Sequence, residues 1–373
     1  MVTADRVLAP GWLTISGDRI AAIGEGEPAA QADLRAHWAL PGFIDMHVHG
    51  GGGASFTEGG PDEARRAAAF HRAHGSTTII ASLVTAPVDA LDGRLRMLAG
   101  LADEGVIDGI HLEGPFLAAS RCGAQDPRYL IAPDVTAFTR LHAAAGGWLR
   151  MITIAPELPG ATRLIQAAVA ARVIAAAGHT DASAEITAAA VDAGVSHATH
   201  LFNGMRPLGH RDPGPVGALL DRQVSCEVIA DGSHLHDAVI RLAARAAGRD
   251  NLVLITDAMA AAGMPDGSYR LGSRDVTVSG GVARLAPSGP GGPPGSIAGS
   301  TATMDAVVRH AITAAGLDVA HAAAAAAANP ARRLGLAART GALRPGLTAD
   351  LVLLDDAFRP TAVIARGTQL PAP

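Results

Sequence analysis

Eight apolar runs rich in β-branched residues recur along the middle of the chain, separated by segments of helix-forming composition. The runs are F-I-D-M-H-V-H (43–49), T-T-I-I-A-S-L-V (77–84), G-I-H-L-E-G (109–114) and M-I-T-I-A-P-E (151–157). They continue with V-I-A-A-A-G-H (173–179), H-A-T-H-L-F (197–202), S-C-E-V-I-A-D (225–231) and L-V-L-I-T-D-A (252–258). The intervening stretches 61–74, 87–104, 159–171, 182–193 and 236–248 are Ala-, Arg- and Leu-rich, which predicts helices. Near-continuous apolar strands are those covered on both faces, as in a parallel sheet wrapped by helices. The pattern therefore predicts an α/β fold with a TIM-like (β/α)8 barrel. A doubly wound open sheet is the competing architecture, but no Gly-x-Gly-x-x-Gly follows the first strand.

The two ends of the chain carry a different pattern. Residues 1–40 contain short alternating runs, W-L-T-I-S and R-I-A-A-I, with Gly17-Asp18 between them as a hairpin signal. A-D-L-V-L-L-D (349–355) and T-A-V-I-A-R-G (361–367) supply matching strands at the other end. Neither set makes a core alone. Together, 1–40 and 341–373 predict a small β-sandwich domain flanking a barrel over 41–340. Between the eighth strand and its helix (302–315) lies an insertion, 259–301, with R-D-V-T-V-S and V-A-R-L joined by Gly280-Gly281 and then a Gly/Pro tract. This predicts a hairpin and loop over the barrel mouth. The alanine run from His321 to Ala328 predicts a helix that Asn329-Pro330 should end.

Composition narrows the chemistry. The chain has 373 residues, 49% of them hydrophobic, with no apolar run near the roughly 20 residues a bilayer span needs. A net charge of −5 without a basic cluster argues against nucleic acid, and the strand-like N-terminus points to a cytoplasmic protein without a signal peptide. Two cysteines, Cys122 and Cys226, are too few for a disulfide framework or a cysteine zinc site. All 30 basic residues are arginine, so neither a lysine Schiff base nor a carboxylated lysine between two metals is available.

The ends of the predicted strands carry the candidate chemistry. His47 and His49, two apart on the first strand, share a face and could grip one cation, with Gly50 to Gly53 leaving space beside them. Glu113, His179, His200 and Asp257 close the third, fifth, sixth and eighth runs. Singly each has a bland reading: a turn cap for Glu113, a core histidine for His179, a helix N-cap for Asp257. On one barrel rim, where such folds place their chemistry, four histidines and two carboxylates predict a metal centre. Glu113, His179 and His200 form a set that leaves coordination positions open for water. His47 and His49 could hold a second ion, with Glu113 bridging, and Asp257 is assigned as general base and acid. The donor set suits zinc, iron, manganese or cobalt.

P-G-F-I-D-M-H-V-H-G (41–50), A-N-P-A-R-R-L-G-L (328–336) and G-A-L-R-P-G-L-T-A-D-L-V-L-L-D (341–355) resemble the amidohydrolase superfamily. More narrowly, H-L-E-G-P-F (111–116), A-G-H-T (177–180), A-T-H-L-F-N-G-M (198–205), A-D-G-S-H (230–234), L-I-T-D-A (254–258) and S-I-A-G-S-T-A-T-M (296–304) resemble the N-acetylglucosamine-6-phosphate deacetylase family, nearly end to end. The resemblance implies hydrolysis of an acetylated amino-sugar phosphate, with Glu113, His179 and His200 as metal ligands and Asp257 as the catalytic aspartate. It implies that Asn203, Gly204 and Arg211 hold the phosphate, Arg211 reaching across a homodimer. His234 then contacts substrate, and Ile297 and Ala298 lie in a loop that closes beside it. Some members carry Gln-x-Asn where this chain has His47 and His49, and bind one metal; the histidines permit two here. Gln125 stands in a mobile loop where a substrate-contacting histidine is common, and can hydrogen-bond a sugar but not carry charge. Two rival readings are an amidohydrolase for N-acyl amino acids or cyclic amides, and a non-catalytic sugar-phosphate sensor.

Overall fold

In the computed structural model, which describes all residues except 4–5, 288–294 and 372–373, the eight apolar runs form one parallel sheet. Its strands are Phe43–Val48, Ser76–Leu83, Gly109–Glu113, Leu149–Ile154, Ile174–Ala177, His197–Ala198, Ser225–Ile229 and Leu252–Ile255, paired in sequence order. The sheet closes on itself: Asp257 N donates to His47 O (2.9 Å) and His49 N to Ala258 O (2.8 Å), joining the eighth strand to the first. Helices follow the strands at Pro61–Ala73, Val88–Asp103, Val135–Ala144, Ala161–Ala170, Ala184–Asp192, Gly214–Asp221, Asp237–Ala247 and Met304–Thr313. This is the (β/α)8 barrel that the pattern predicts. Apolar side chains on the outer face of the sheet pack beneath the helices in one large cluster. A second cluster draws Met46, Ile80, Met151, Ala176, Ile229, Val253 and Ile255 from six strands. Residues so distributed meet only inside the barrel, and they fill it.

The chain ends form the small β domain. Gly11–Ser16 pairs antiparallel with Arg19–Glu25, and Trp38–Pro41 joins Leu351–Leu354, Pro360–Ala365 and Thr368–Gln369 in a four-stranded sheet. Met1, Leu8, Ile20, Leu343, Leu351, Leu353 and Ile364 make its core.

Two local features differ from expectation. The insertion holds three strands: the predicted pair, Arg274–Ser279 and Val282–Leu285, and a further edge strand, Gly267–Leu271. G-S-Y-R-L is mostly exposed and lacks the apolar alternation that would mark a strand. Most of the Gly/Pro tract falls at 288–294, outside the described residues. The alanine helix does not stop at Asn329-Pro330. Val319–Ala323 runs into a π-helical stretch, Ala324–Ala328, and on through Asn329–Arg333. Pro330 sits in the first turn of that last segment, where its missing N–H costs nothing, and Asn329 Nδ2 donates to Arg249 O (2.8 Å) and Leu252 O (2.6 Å).

Candidate metal centre

The barrel brings all six rim residues to one buried place. His47, His49 and Asp257 form one trio of convergent donor atoms, and Glu113, His179 and His200 a second. His47 Nε2 and His49 Nε2 lie 3.1 Å apart, and Asp257 Oδ1 is 3.3 and 3.2 Å from them. Glu113 Oε1 is 2.9 Å from His179 Nε2 and 2.8 Å from His200 Nε2, while its Oε2 lies 3.3 Å from His49 Nε2. Glu113 thus stands between the trios.

Local structure explains the convergence. The pairing of the first strand with the second shifts register between Asp45 and Val48, a bulge that re-aims side chains just beneath His47. His179, His200 and Asp257 adopt left-handed backbone conformations, φ 47°, 28° and 49°, which end their strands and turn the side chains toward the barrel axis. Three of the remote imidazole nitrogens face acceptors: His47 Nδ1 faces Glu227 Oε2 (3.0 Å), His49 Nδ1 faces Ser82 O (3.2 Å) and His179 Nδ1 faces Arg121 O (2.8 Å). Acceptors at Nδ1 fix the hydrogen there and leave Nε2 bare toward the centre.

A cluster of bare nitrogens and carboxylate oxygens, buried at 3 Å spacing, fits a divalent cation and little else. Protons are the alternative occupant. Burial opposes charge on His49, but Asp257 and Glu113 outweigh it and raise its pKa to about 9. Burial likewise favours the neutral carboxyl of Glu113, yet His47, His179 and His200 hold it well below its ordinary value. Ion and proton therefore compete for the same lone pairs.

The other predicted residues are placed unevenly. His234 is half-buried, its Nδ1 held by Asp231 Oδ2 (2.8 Å). Asn203 folds its amide back onto His200 O (3.2 Å) and Leu201 O (3.3 Å). Gly204, at φ 62°, lies so near His179 that a Cβ would come within 2.9 Å of Nδ1. Arg211 is exposed on its loop, pairs with His210 Nε2 (2.6 Å) and does not join the cluster of its own chain. Ile297 is half-buried, and Ala298 is buried in the core of the inserted sheet with Met259 and Val276. Gln125 does not face an open mouth. It is 4% exposed, accepting from Thr85 N (2.7 Å) and donating to Glu113 Oε2 (2.6 Å). The glycines after His49 do not reserve room for metal or substrate either. A Cβ on Gly51 would meet His71 Nε2 at 2.5 Å and Phe70 at 2.6 Å, so this space admits the first helix.

Sequence reasoning missed Glu227, Ser82 and the Arg121 carbonyl. Only Glu227 left a signal, a carboxylate in the middle of the apolar run S-C-E-V-I.

Several known proteins are similar to this chain. The model of the amidohydrolase family matches residues 38–370. The N-acetylglucosamine-6-phosphate deacetylase of Lysinibacillus sphaericus is 37% identical over 75% of this chain and 72% of its own. The N-acetylgalactosamine-6-phosphate deacetylase of Escherichia coli is 36% identical over 83% of this chain and 82% of its own. The crystal structure of N-acetyl-D-glucosamine-6-phosphate deacetylase from Mycobacterium smegmatis is 47% identical, covers 99% of this chain and 98% of that one, and superposes with a TM-score of 0.94. From the fold, the rim residues and the extent of these matches, the chain belongs to the amidohydrolase family.

Proposed function

We propose that this chain hydrolyses the acetamide of N-acetyl-D-glucosamine 6-phosphate, releasing acetate and D-glucosamine 6-phosphate in amino-sugar metabolism. The observation that carries the reading is the convergence of the two trios, with Glu113 between them, in a buried barrel mouth. The substrate is supported by the names of the relatives, most of all the 47% identical enzyme over nearly the whole chain.

His47, His49, Glu113, His179 and His200 would hold one or two divalent ions: zinc, iron, manganese or cobalt. A divalent ion supplies positive charge that polarises the acetyl carbonyl and lowers the pKa of the attacking water. Asp257 takes a proton from that water at a carboxylate oxygen as the oxygen bonds to the carbonyl carbon. It then delivers the proton to the nitrogen as the C–N bond breaks. Asp231 fixes the His234 ring through Nδ1, leaving Nε2 for the substrate. Asn203 and Gly204 line the phosphate end, and Arg211, exposed on its loop, serves the site of a second copy in a homodimer. A phosphorylated sugar does not cross a bilayer unaided, and the reading places the reaction in the cytoplasm. Among the described residues no helix is long and apolar enough to cross a bilayer.

Release of free amine from N-acetylglucosamine 6-phosphate, from its unphosphorylated form and from N-acetylgalactosamine 6-phosphate tests the reading. The phosphorylated gluco sugar should give the highest kcat/KM. Preference for the galacto sugar, which the 36% identical relative suggests as the second reading, would overturn the sugar assignment. Arg211→Ala should lower kcat/KM on the phosphorylated sugar about 10- to 100-fold, as expected for a lost charge-assisted contact of ~1.5–3 kcal/mol. An equal fall on the unphosphorylated sugar would remove Arg211 from phosphate binding.

A further inference from the structure

The four imidazoles at the mouth are not held alike. Two have remote nitrogens facing neutral carbonyls, His49 at Ser82 O (3.2 Å) and His179 at Arg121 O (2.8 Å). The His200 Nδ1 is buried with no protein partner. His47 alone faces a carboxylate, its Nδ1 3.0 Å from Glu227 Oε2. That oxygen also accepts from His200 N (2.9 Å), and Glu227 Oε1 lies 3.0 Å from His197 Nε2.

Glu227 is fully buried in the seventh strand, directly below the first trio. An ionised carboxylate there costs several kcal/mol unless strongly paired. Neighbouring interior positions show that neutral groups suffice for cohesion: His111 bonds Ser82 Oγ (3.0 Å) and Thr153 Oγ1 (2.8 Å), and Thr153 bonds Thr199 (2.8 Å). Asp45, the other carboxylate below the mouth, bonds Thr256 and the His47 backbone N–H and touches no imidazole. The particular contribution of Glu227 at the mouth is thus negative charge delivered to one of the four rings there, His47. A carboxylate only accepts, so His47 Nδ1 carries the hydrogen and Nε2 offers its lone pair beside His49 Nε2 and Asp257 Oδ1. An anionic partner also makes the imidazole a better ligand.

We propose that Glu227 is the positioning residue of the His47–His49–Asp257 trio and sets that trio's affinity for a divalent cation, independently of the Glu113–His179–His200 trio. The proposal rests on reading both trios as cation sites. In this arrangement the second ion is governed from the barrel interior, by a residue that touches neither ion nor substrate.

Glu227→Gln is the discriminating variant. Its amide oxygen can still accept from His47 Nδ1 and His200 N, and its NH2 can donate to His197 Nε2 once that ring carries its hydrogen on Nδ1, so shape persists while the charge is lost. Chelator-stripped wild type and variant are titrated with zinc alone against a chromophoric chelator, and metal content is measured after dialysis. Wild type should take up two ions. The variant should retain one affinity within about threefold and lose about 10- to 100-fold in the other, the range for partners that orient a metal-bound imidazole. Two unchanged affinities, or two that fall together, would overturn the proposal. Wild type taking one ion would also overturn it while leaving the metal reading intact, and wild type taking none would overturn both. Should the variant not fold, nitrogen NMR of the wild-type histidines decides, with His47→Gln identifying the signal. In the zinc-loaded protein a hydrogen on Nδ1 of His47 and none on Nε2 is expected, and the opposite tautomer would overturn the proposal.

Discussion

Replacing Gln125 with alanine separates two roles for its side chain. As a substrate contact in a mobile loop, the role implied by family resemblance, it would touch the sugar. In the structure it holds Glu113 instead: Nε2 donates to Glu113 Oε2 at 2.6 Å, and Oε1 accepts from Thr85 N at 2.7 Å. Both partners are settled by chemistry, since a carboxylate must accept and an amide N–H must donate. Thr85 is 2% exposed and Gln125 4%, so neither bond is readily replaced by bulk water. Truncation leaves a buried N–H unpaired, at about 1–3 kcal/mol, and removes a charge-assisted bond of about 1.5–3 kcal/mol. A water entering the vacated space returns part of this, leaving a net loss of about 2–4 kcal/mol. Urea denaturation of the chelator-treated protein reads that loss directly. Glu113, freed at one oxygen, should also bind the ion about 10- to 100-fold more weakly, with kcat falling at subsaturating metal. Gln125→Glu sharpens the test. It can keep the Thr85 bond but sets a second carboxylate against Glu113, and should destabilise the metal-free protein further. A rise in KM alone, with stability and ion affinity at wild-type values, would refute this reasoning and return Gln125 to the substrate.

Three further outcomes follow from the structure. Asp257→Asn suits the left-handed backbone at φ 49° and removes the proton acceptor. Turnover should fall about 10²- to 10⁴-fold with an ion retained at Glu113, His179 and His200, and unchanged turnover would exclude Asp257 as base. His71 is fully buried with Nε2 2.8 Å from Gly50 O, and burial pushes its pKa from 6.5 to about 4. As pH falls through that window the unfolded chain takes up the proton first, so stability is lost, by up to about 3 kcal/mol at ~1.4 kcal/mol per unit. His71→Gln keeps the donor to Gly50 O and should flatten this slope in denaturation curves between pH 4 and 6.5; parallel curves would refute it. Gly204→Ala places a Cβ at φ 62° within 2.9 Å of His179 Nδ1. It should destabilise by about 1–2 kcal/mol on backbone grounds and lower metal content after dialysis, and a wild-type melting curve and metal content would contradict it.

The sequence is most legible where one physical constraint acts alone. Strands buried on both faces must be apolar throughout, so the eight barrel strands stand out as runs, and ligands at their ends can be read off in order. Legibility fails where two segments distant in sequence determine each other. Glu227 is one charged residue in a five-residue strand until closure sets it under His47, 180 positions earlier. Gln125 reads as a loop residue until Thr85 and Glu113 appear on either side of it. The sixth run, H-A-T-H-L-F, supplies a strand of only His197–Ala198, because the left-handed turn at His200 ends the pairing early. Pro330 reads as a helix stop, yet the π-helical stretch before it starts a new first turn in which proline fits.

The left-handed residues show how the site keeps its geometry. Such a conformation at a non-glycine residue costs on the order of 1 kcal/mol or more, and His179, His200 and Asp257 all adopt it. Each is tied on both sides by neighbours that belong to other strands or loops. Asp257 donates its N–H to His47 O and accepts Ser300 N at 2.7 Å. His200 N is held by Glu227 Oε2, and the next residue, Leu201, donates to Glu227 O at 2.8 Å. His179 O accepts Ala118 N at 3.0 Å while its ring is fixed by Arg121 O. The strain is therefore sustained by hydrogen bonds that form only once the barrel has closed, and the ligand geometry is a property of the closed sheet more than of any one strand. Glu227 acts at two of these points, through its side chain at His200 N and His47 and through its carbonyl at Leu201. Because glutamine at 227 preserves the backbone ties at His200 and Leu201 while removing the charge, a selective loss at the His47–His49–Asp257 trio would trace that site's cation affinity to electrostatics and not to a collapsed scaffold.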